Sequence, residues 1–295
     1  MLKIGIIGSE STHSETFAGM ANFPARDGAL PFDARVTAIW GEDPVRTQQV
    51  AKQKNIPCVL KNPEEMIGKV DAVMVMPRRG SRHFQYAMPF LKAGVPTWVD
   101  KPFTVDYGEA ATMVKTAKQH HAMICGGSTC KECFDVAMLK ELFKQLQSAG
   151  GMISAAFNFA GDIASEYDGI YFYGSHSAEI LTAVFGGEVK SIRTDVHKGN
   201  LIALAKYPDF TVSMNFSQVP QSYGILYAPS GVVIRPINIS LAYDEAFRKF
   251  IDTAEKKRPA EDPRNLLLSV RILNAIEESI RNGGDEISVK PVDEE

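Results

Sequence analysis

The sequence predicts an α/β fold in two parts: a doubly wound parallel sheet, then a second α/β domain on an open, mostly antiparallel sheet. Two observations carry this. Through roughly the first 125 residues, short apolar runs alternate with segments of helical periodicity. Beyond Gly126-Gly127 the apolar residues fall instead into longer stretches of period-two alternation, the mark of strands with one covered and one exposed face.

Lys3-Ile4-Gly5-Ile6-Ile7-Gly8 reads as a short, fully buried strand, and the same pattern returns at 36–40, 70–76, 97–99 and 123–125. Helical periodicity fills 12–20, 44–54, 81–93 and 107–120, several of these opened by Ser, Thr or Asp caps. Strand and helix alternating in this way require right-handed crossovers and a sheet covered on both faces. A helix over 134–147 leads past Gly150-Gly151 into a strand at 152–159. Alternating segments follow at 189–196, 201–206, 210–216, 225–227 and 232–234. Helices at 243–256 and 263–281 close the chain, the last stopped by Asn282-Gly283-Gly284. The expected division is 1–126 and 127–295, with the acidic residues 293–295 a frayed terminus.

The chain has 295 residues, 45% of them hydrophobic, enough for two ordinary cores. Its 32 basic and 35 acidic side chains leave a formal charge of -3, so neither nucleic acid nor an anionic membrane is expected as a partner. No apolar stretch reaches the roughly 18 residues of a membrane span, and a strand pattern begins at once with no secretory leader. A soluble, cytoplasmic protein is expected. Four cysteines do not make a disulfide framework. Cys130-Lys131-Glu132-Cys133 has C-x-x-C spacing, with Cys125, His120 and His121 upstream, but a structural zinc site draws on two such pairs. The thiols read as free, and no metal is expected.

Two short segments carry the chemistry. In Trp98-Val99-Asp100-Lys101-Pro102 a lysine stands where a strand stops, beside an acid and before a proline that forbids helical continuation. In Gly174-Ser175-His176-Ser177-Ala178-Glu179 an imidazole falls in what reads as the first turn of a helix, able to exchange a proton near neutral pH. Glu179, three residues on, shares the face of His176 and would orient it. Lysine and imidazole together point to proton and charge handling on a polar small molecule.

With these segments in this order, the chain resembles the glucose-fructose oxidoreductase and inositol dehydrogenase family (Gfo/Idh/MocA) over essentially its whole length. Asp100-Lys101-Pro102 looks like the family's Glu-Lys-Pro motif, and 174–179 like its Gly-x-His-x-x-Asp segment; His83, after Met76-Pro77, and Ala93-Gly94 also fall in place. The resemblance implies an N-terminal Rossmann domain and nicotinamide-dependent hydride transfer to or from a sugar, polyol or related hydroxy compound. It implies Lys101 as the stabiliser of developing negative charge and His176 as general base, with Gly8, Ser9, Ser11, Thr12, Glu42, Pro77, His83 and Lys101 about the cofactor. Arg78, Tyr173 and Glu179 fall on the substrate side. It also implies a homo-oligomer built through the second sheet, for whose exposed face Tyr207, Phe210, Tyr223 and Tyr227 are candidates; core packing or substrate contact explains those aromatics equally well.

The chain departs from the family in its glycine fingerprint, which supplies a tight turn, close approach to pyrophosphate and helix packing. Here it reads Gly8-Ser9-Glu10-Ser11-Thr12-His13, keeping only the first glycine. Glu10 stands where backbone would meet phosphate, and Thr12 with Glu15 forms a capping-box pattern that adds a second carboxylate. The helix dipole and the Ser and Thr hydroxyls work in the opposite sense. After the second strand the acid expected to hold the adenosine ribose is Gly41, with Glu42 next; no basic residue adjoins it, which favours NAD over NADP. Phe172 replaces an acid four residues before His176. Arg78 and Arg79 read either as solvated loop charges or as guanidiniums for a phosphate or carboxylate. Three readings follow: a dehydrogenase, a metabolite-binding sensor with a degenerate dinucleotide site, and an enzyme using the cofactor transiently for elimination or hydrolysis.

Overall fold

The computed structural model describes residues 1–25, 31–217 and 219–292; the acidic terminus at 293–295 lies outside them. In chain order the elements are β1 (Leu2–Ile7), α1 (Thr12–Asn22), β2 (Ala34–Trp40), α2 (Pro44–Gln53), β3 (Cys58–Val59), β4 (Ala72–Val75), α3 (His83–Lys92), β5 (Thr97–Asp100), α4 (Tyr107–Gln119), β6 (Ile124–Gly127) and α5 (Phe134–Ser148). There follow β7 (Ser154–Ala160), α6 (Ile170–Phe185), β8 (Ser191–His197), β9 (Asn200–Lys206), β10 (Thr211–Ser217), β11 (Tyr223–Ala228), β12 (Gly231–Pro236), α7 (Ala242–Ala254), α8 (Arg264–Arg281) and β13 (Ile287–Ser288).

The first compact unit comprises Met1–Thr104, Gly108–Gly127 and Tyr243–Pro263. Its six strands lie in the order β3-β2-β1-β4-β5-β6, and all pair in parallel. The order reverses between β1 and β4, so the loops leaving those two strands diverge and open a crevice at their C-terminal ends. Ile4, Ile6, Ala72, Met74 and Met76 join Phe17, Ala18 and Val50 in one core. The alternate residues Val73 and Val75 are equally buried on the other face, where Ala87, Phe90 and Leu91 of α3 pack.

The expected continuous boundary at 126/127 is replaced by a discontinuous unit, because α7 joins the first core. Its Ala246, Phe247, Phe250 and Ile251 repeat at helical spacing and pack with Phe17, Phe32 and Trp98; the Phe17 and Phe247 rings lie 5.3 Å apart.

The second unit comprises Val105–Tyr107, Ser128–Ala242 and Arg264–Glu295. Its seven strands run in the order β12-β11-β7-β10-β9-β8-β13, antiparallel throughout except for the parallel pair of β10 and β7. Helices α5, α6 and α8 pack on this sheet through Val136, Leu139, Ile180, Leu181, Ile272 and Ile276. Tyr207 and Phe210, candidates for the exposed face, lie instead in this core. Their rings stack at 4.6 Å beside Phe185, which removes from water the apolar surface a loop position would expose. Tyr223 and Tyr227 do lie on the outer face, in register with Pro236 and Val232.

Candidate active site

In the first unit the loop after β1 is held by close backbone approach. Gly8 has φ +103°, and a Cβ there would fall 2.6 Å from the Pro77 nitrogen, so the surviving glycine is the one the packing of two loops demands. Ser11, not Thr12, caps α1, its hydroxyl accepting the His13 N–H at 3.2 Å; Thr12 is already helical, so the expected capping box does not form. Glu15 pairs instead with Arg46. Glu10 accepts the backbone N–H of Arg78 at 3.4 Å. Each carboxylate expected to repel an anion has a partner, a backbone N–H for Glu10 and a guanidinium for Glu15, beside the positive end of α1.

A side chain at Gly41 would collide with the hydroxyls of Ser9 and Thr47, themselves 2.8 Å apart, which explains why no acid stands there. The acid comes one residue later. Glu42 accepts the Tyr86 hydroxyl at 2.6 Å and lies 3.3 Å from Arg82, while Trp40 packs on Tyr86 at 5.1 Å. Burial first, and then the hydrogen bond and charge of Glu42, push the Tyr86 phenol up to about 12. The sequence places no base beside Gly41; the fold brings Arg82 there from the turn before α3.

At the end of β5, Asp100 and Lys101 are only 2% and 6% exposed. Asp100 Oδ2 lies 2.6 Å from His13 Nδ1, and His13 Nε2 lies 2.8 Å from the Tyr243 hydroxyl. Burial works to raise the Asp100 carboxyl, but the charge and hydrogen bond of His13, with Lys101 and His83 nearby, outweigh it and hold the group below its ordinary range. His83 Nε2 donates to the Pro77 carbonyl at 2.8 Å. Asp100 Oδ1 and His83 Nδ1 are buried with no hydrogen-bond partner among the described residues. An orphan carboxylate oxygen at the C-terminal end of an interior strand, a tight glycine turn and a helix N-terminus together fit a dinucleotide.

In the second unit α6 begins at Ile170, after two left-handed residues, Asp168 (φ +66°) and Gly169 (φ +58°). His176 therefore sits in the second turn rather than the first. Gly174 is no helix start; it lets α6 approach α8, since a Cβ would meet Leu273 at 3.0 Å. His176 Nδ1 lies 2.6 Å from Ser128 Oγ, and its ring packs on Phe159 at 5.2 Å. Glu179 supports the imidazole through Ser128: one carboxylate oxygen accepts the Ser128 N–H at 2.8 Å, and the other meets Lys131 Nζ at 2.6 Å. Burial pushes the Glu179 carboxyl up despite Lys131 and the Ser128 amide. Near the start of α6, Tyr171 donates to Glu277 at 2.7 Å and accepts from Asn274 at 2.6 Å, whereas Tyr173 is 37% exposed.

Each unit collects its own candidates. The first holds Gly8, Ser9, Ser11, Thr12, Glu42, Pro77, Arg78, His83 and Lys101; the second holds Tyr173, His176 and Glu179. Sequence reasoning missed Ser128, Lys131, Tyr86 and Tyr243. Of these only Ser128 was signalled, by its place directly after a strand of the parallel sheet, at the end where such sheets bind ligands. Cys130 and Cys133 are buried, and among the described residues no group of three or more His, Cys, Asp and Glu side chains is disposed to hold a metal ion. No helix among the described residues is long and apolar enough to cross a membrane.

Residues 2–127 match the model of the Gfo/Idh/MocA oxidoreductase family, described as an oxidoreductase family with an NAD-binding Rossmann fold. The match spans the whole parallel sheet, β1 to β6, and over these residues the chain is similar to that family. Solved structures with the same fold include myo-inositol dehydrogenase from Lactobacillus casei in complex with NAD(H) and myo-inositol, with TM-score 0.83 and 14% identity, covering 99% of this chain and 98% of that one. Scyllo-inositol dehydrogenase from the same organism, with NAD(H) and scyllo-inositol, gives 0.81 and 14% over 98% and 99%. A protein from Thermotoga maritima described as a probable dehydrogenase gives 0.81 and 15% over 98% and 99%. No curated protein sequence matches the chain. Against the dinucleotide fingerprint, the glycine loop is altered at two of three glycine positions, where Glu10 and His13 take up the contacts described above.

Proposed function

We propose that this chain is a Gfo/Idh/MocA oxidoreductase, an NAD-dependent dehydrogenase acting on a CH–OH group of a sugar, polyol or related hydroxy compound. The observation that carries the reading is the near-complete burial of Lys101 beside Asp100 at the end of β5. A charge withdrawn from water at the ligand-binding end of a parallel sheet is costly to keep, and function is the common reason for keeping it.

In this reading NAD supplies the hydride acceptor, and the chain's own groups bind, orient and move the proton. Gly8, Ser9, Ser11 and Thr12 cradle the pyrophosphate, Glu42 holds the adenosine ribose, and Pro77 and His83 border the nicotinamide half. Lys101 stabilises negative charge developing on the substrate oxygen. His176 takes the hydroxyl proton at Nε2 while Ser128 holds Nδ1. Arg78 and Tyr173 serve the substrate, and Glu179, buried and bound to Ser128 and Lys131, supports the base rather than touching the substrate. The Glu42 carboxylate disfavours a 2′-phosphate, so NAD is preferred to NADP. Of the departures that favour a non-enzymatic sensor, Glu10, His13, Gly41 and Phe172, the first three have contacts compatible with a bound cofactor: Glu10 with the Arg78 N–H, His13 with Asp100, and Gly41 with Ser9 and Thr47.

The outer face carrying Tyr223, Tyr227, Val232 and Ile234, the last two 56% and 68% exposed, is the surface for a second copy of the chain. The test of the main reading is NADH fluorescence titration followed by NAD reduction with a panel of polyols and sugars. K101M and H176N each lower kcat by about 10²- to 10⁴-fold. No response to NADH or NADPH at millimolar concentration would overturn the reading.

A further inference from the structure

The residue in place of the fingerprint's third glycine is not simply tolerated. We infer that His13, tied to Asp100 and Tyr243, is a positioning residue that fixes the cofactor loop to the strand end bearing Lys101; the inference rests on the dinucleotide reading above. A glycine there ordinarily lets the helix lie close to the sheet. Here the helix start is pinned by a side chain instead. The side chain is 10% exposed and uses both nitrogens, Nδ1 toward Asp100 Oδ2 at 2.6 Å and Nε2 toward the Tyr243 hydroxyl at 2.8 Å. Its backbone N–H is taken by the Ser11 cap.

Three elements far apart in sequence, α1, β5 and α7, thereby meet on one ring. Two arrangements of protons satisfy the chain throughout: a neutral ring donates Nδ1–H to the carboxylate and accepts the Tyr243 hydroxyl at Nε2, or an imidazolium donates from both nitrogens with the Tyr243 oxygen accepting. The Tyr243 ring lies 5.2 Å from His13 and 5.7 Å from Phe17, so α7 buttresses the contact with packing as well as with a hydrogen bond. Ring and carboxylate fix each other's place, and the carboxylate is one residue from Lys101. A shift of α1 at the pyrophosphate end is thus felt at the strand end, and the reverse.

The experiment uses the full chain and three variants, H13G, Y243F and D100N, read by NADH fluorescence, by thermal melting without nucleotide and by the ring signals of ¹⁵N-labelled histidine. H13G restores the fingerprint and separates the alternatives by sign. If His13 positions the loop, H13G weakens NADH binding about tenfold, the loss of a charge-assisted hydrogen bond. If the imidazole merely fills the glycine's place, H13G binds NADH as well as the wild type or more tightly, and the inference is overturned.

Y243F deletes one hydroxyl and covers the case in which H13G fails to fold. It is expected to melt within a few degrees of the wild type and to bind NADH several-fold more weakly. Unchanged affinity in Y243F counts against the inference. In the wild type, NADH shifts the His13 ring signals, and D100N moves the hydrogen-bonded Nδ1–H resonance upfield in the free protein, because an amide oxygen is a weaker acceptor than a carboxylate; a merely structural ring stays unmoved by NADH. A wild-type protein that ignores NADH altogether overturns the dinucleotide reading along with this one, a result distinct from a wild type that binds and an H13G that binds equally well.

Discussion

Ser128 Oγ lies 2.6 Å from Nδ1 of His176, and the amide of the same serine is given to Glu179 at 2.8 Å. A single residue therefore joins the candidate base to a buried carboxylate, and the carboxylate orders the serine rather than the ring. S128A leaves His176 on its helix but frees its orientation. The expected result is a fall in kcat of about tenfold, smaller than that of H176N, with KM little changed. Steady-state kinetics on the substrate found in the polyol panel checks it.

The Lys131–Glu179 pair is 2.6 Å long, its two side chains 17% and 2% exposed. Removing one partner strands the other, so K131M is expected to cost about 3 kcal/mol, and the K131M/E179Q double variant to recover most of it. Urea denaturation of the set measures both. Because burial raises the Glu179 carboxyl in the fold, the folded chain holds its proton longer than the unfolded one. Its contribution therefore declines as pH climbs from the ordinary value of 4.5 toward the raised one, a slope that E179Q abolishes.

Asp100 has the opposite sign. Its carboxyl sits below the ordinary 3.8 in the fold, held there by His13 and Lys101 against burial. The stabilisation is complete above about 3.8 and is lost as pH falls through the folded value. D100N is expected to be about 3 kcal/mol less stable than the wild type at pH 7, with the gap closing in acid. Denaturation at neutral pH and near pH 3 decides it.

Tyr86 is expected to titrate near 12 by ultraviolet absorbance. E42A removes its hydrogen bond and charged neighbour and brings the midpoint down toward 10, while leaving the burial contribution in place. The same variant frees Arg82 and is expected to move the NADPH to NADH affinity ratio about tenfold toward NADPH. R82A moves it the other way.

The sequence reading captured what is local. Apolar runs and capped helices placed the main strands and helices because each writes its own periodicity. It placed the start of α6 four residues late: Gly174 looked like a boundary, while the break is made at Asp168 and Gly169, whose left-handed backbone leaves little mark in composition. The two-residue β3 was too short to show a period. The candidate residues legible in the sequence are those at strand ends or within motifs. Those missed act at long range: His13 and Asp100 are 87 residues apart, Ser128 and His176 are 48, and Tyr243 and His13 are 230. Pairings of that kind exist only once the chain has folded, and the same reason hid the membership of α7 in the first core.

That late helix sets an order of assembly during synthesis. Phe17 and Trp98 leave the ribosome early, but Phe247 and Phe250, which cover them, emerge about 120 residues after the last strand of the first sheet has begun. Until then the nascent sheet carries a bare aromatic flank, and a chain stopped before residue 243 never covers it. The early half of this protein waits on the late half, so premature termination yields a sticky fragment rather than a smaller working module.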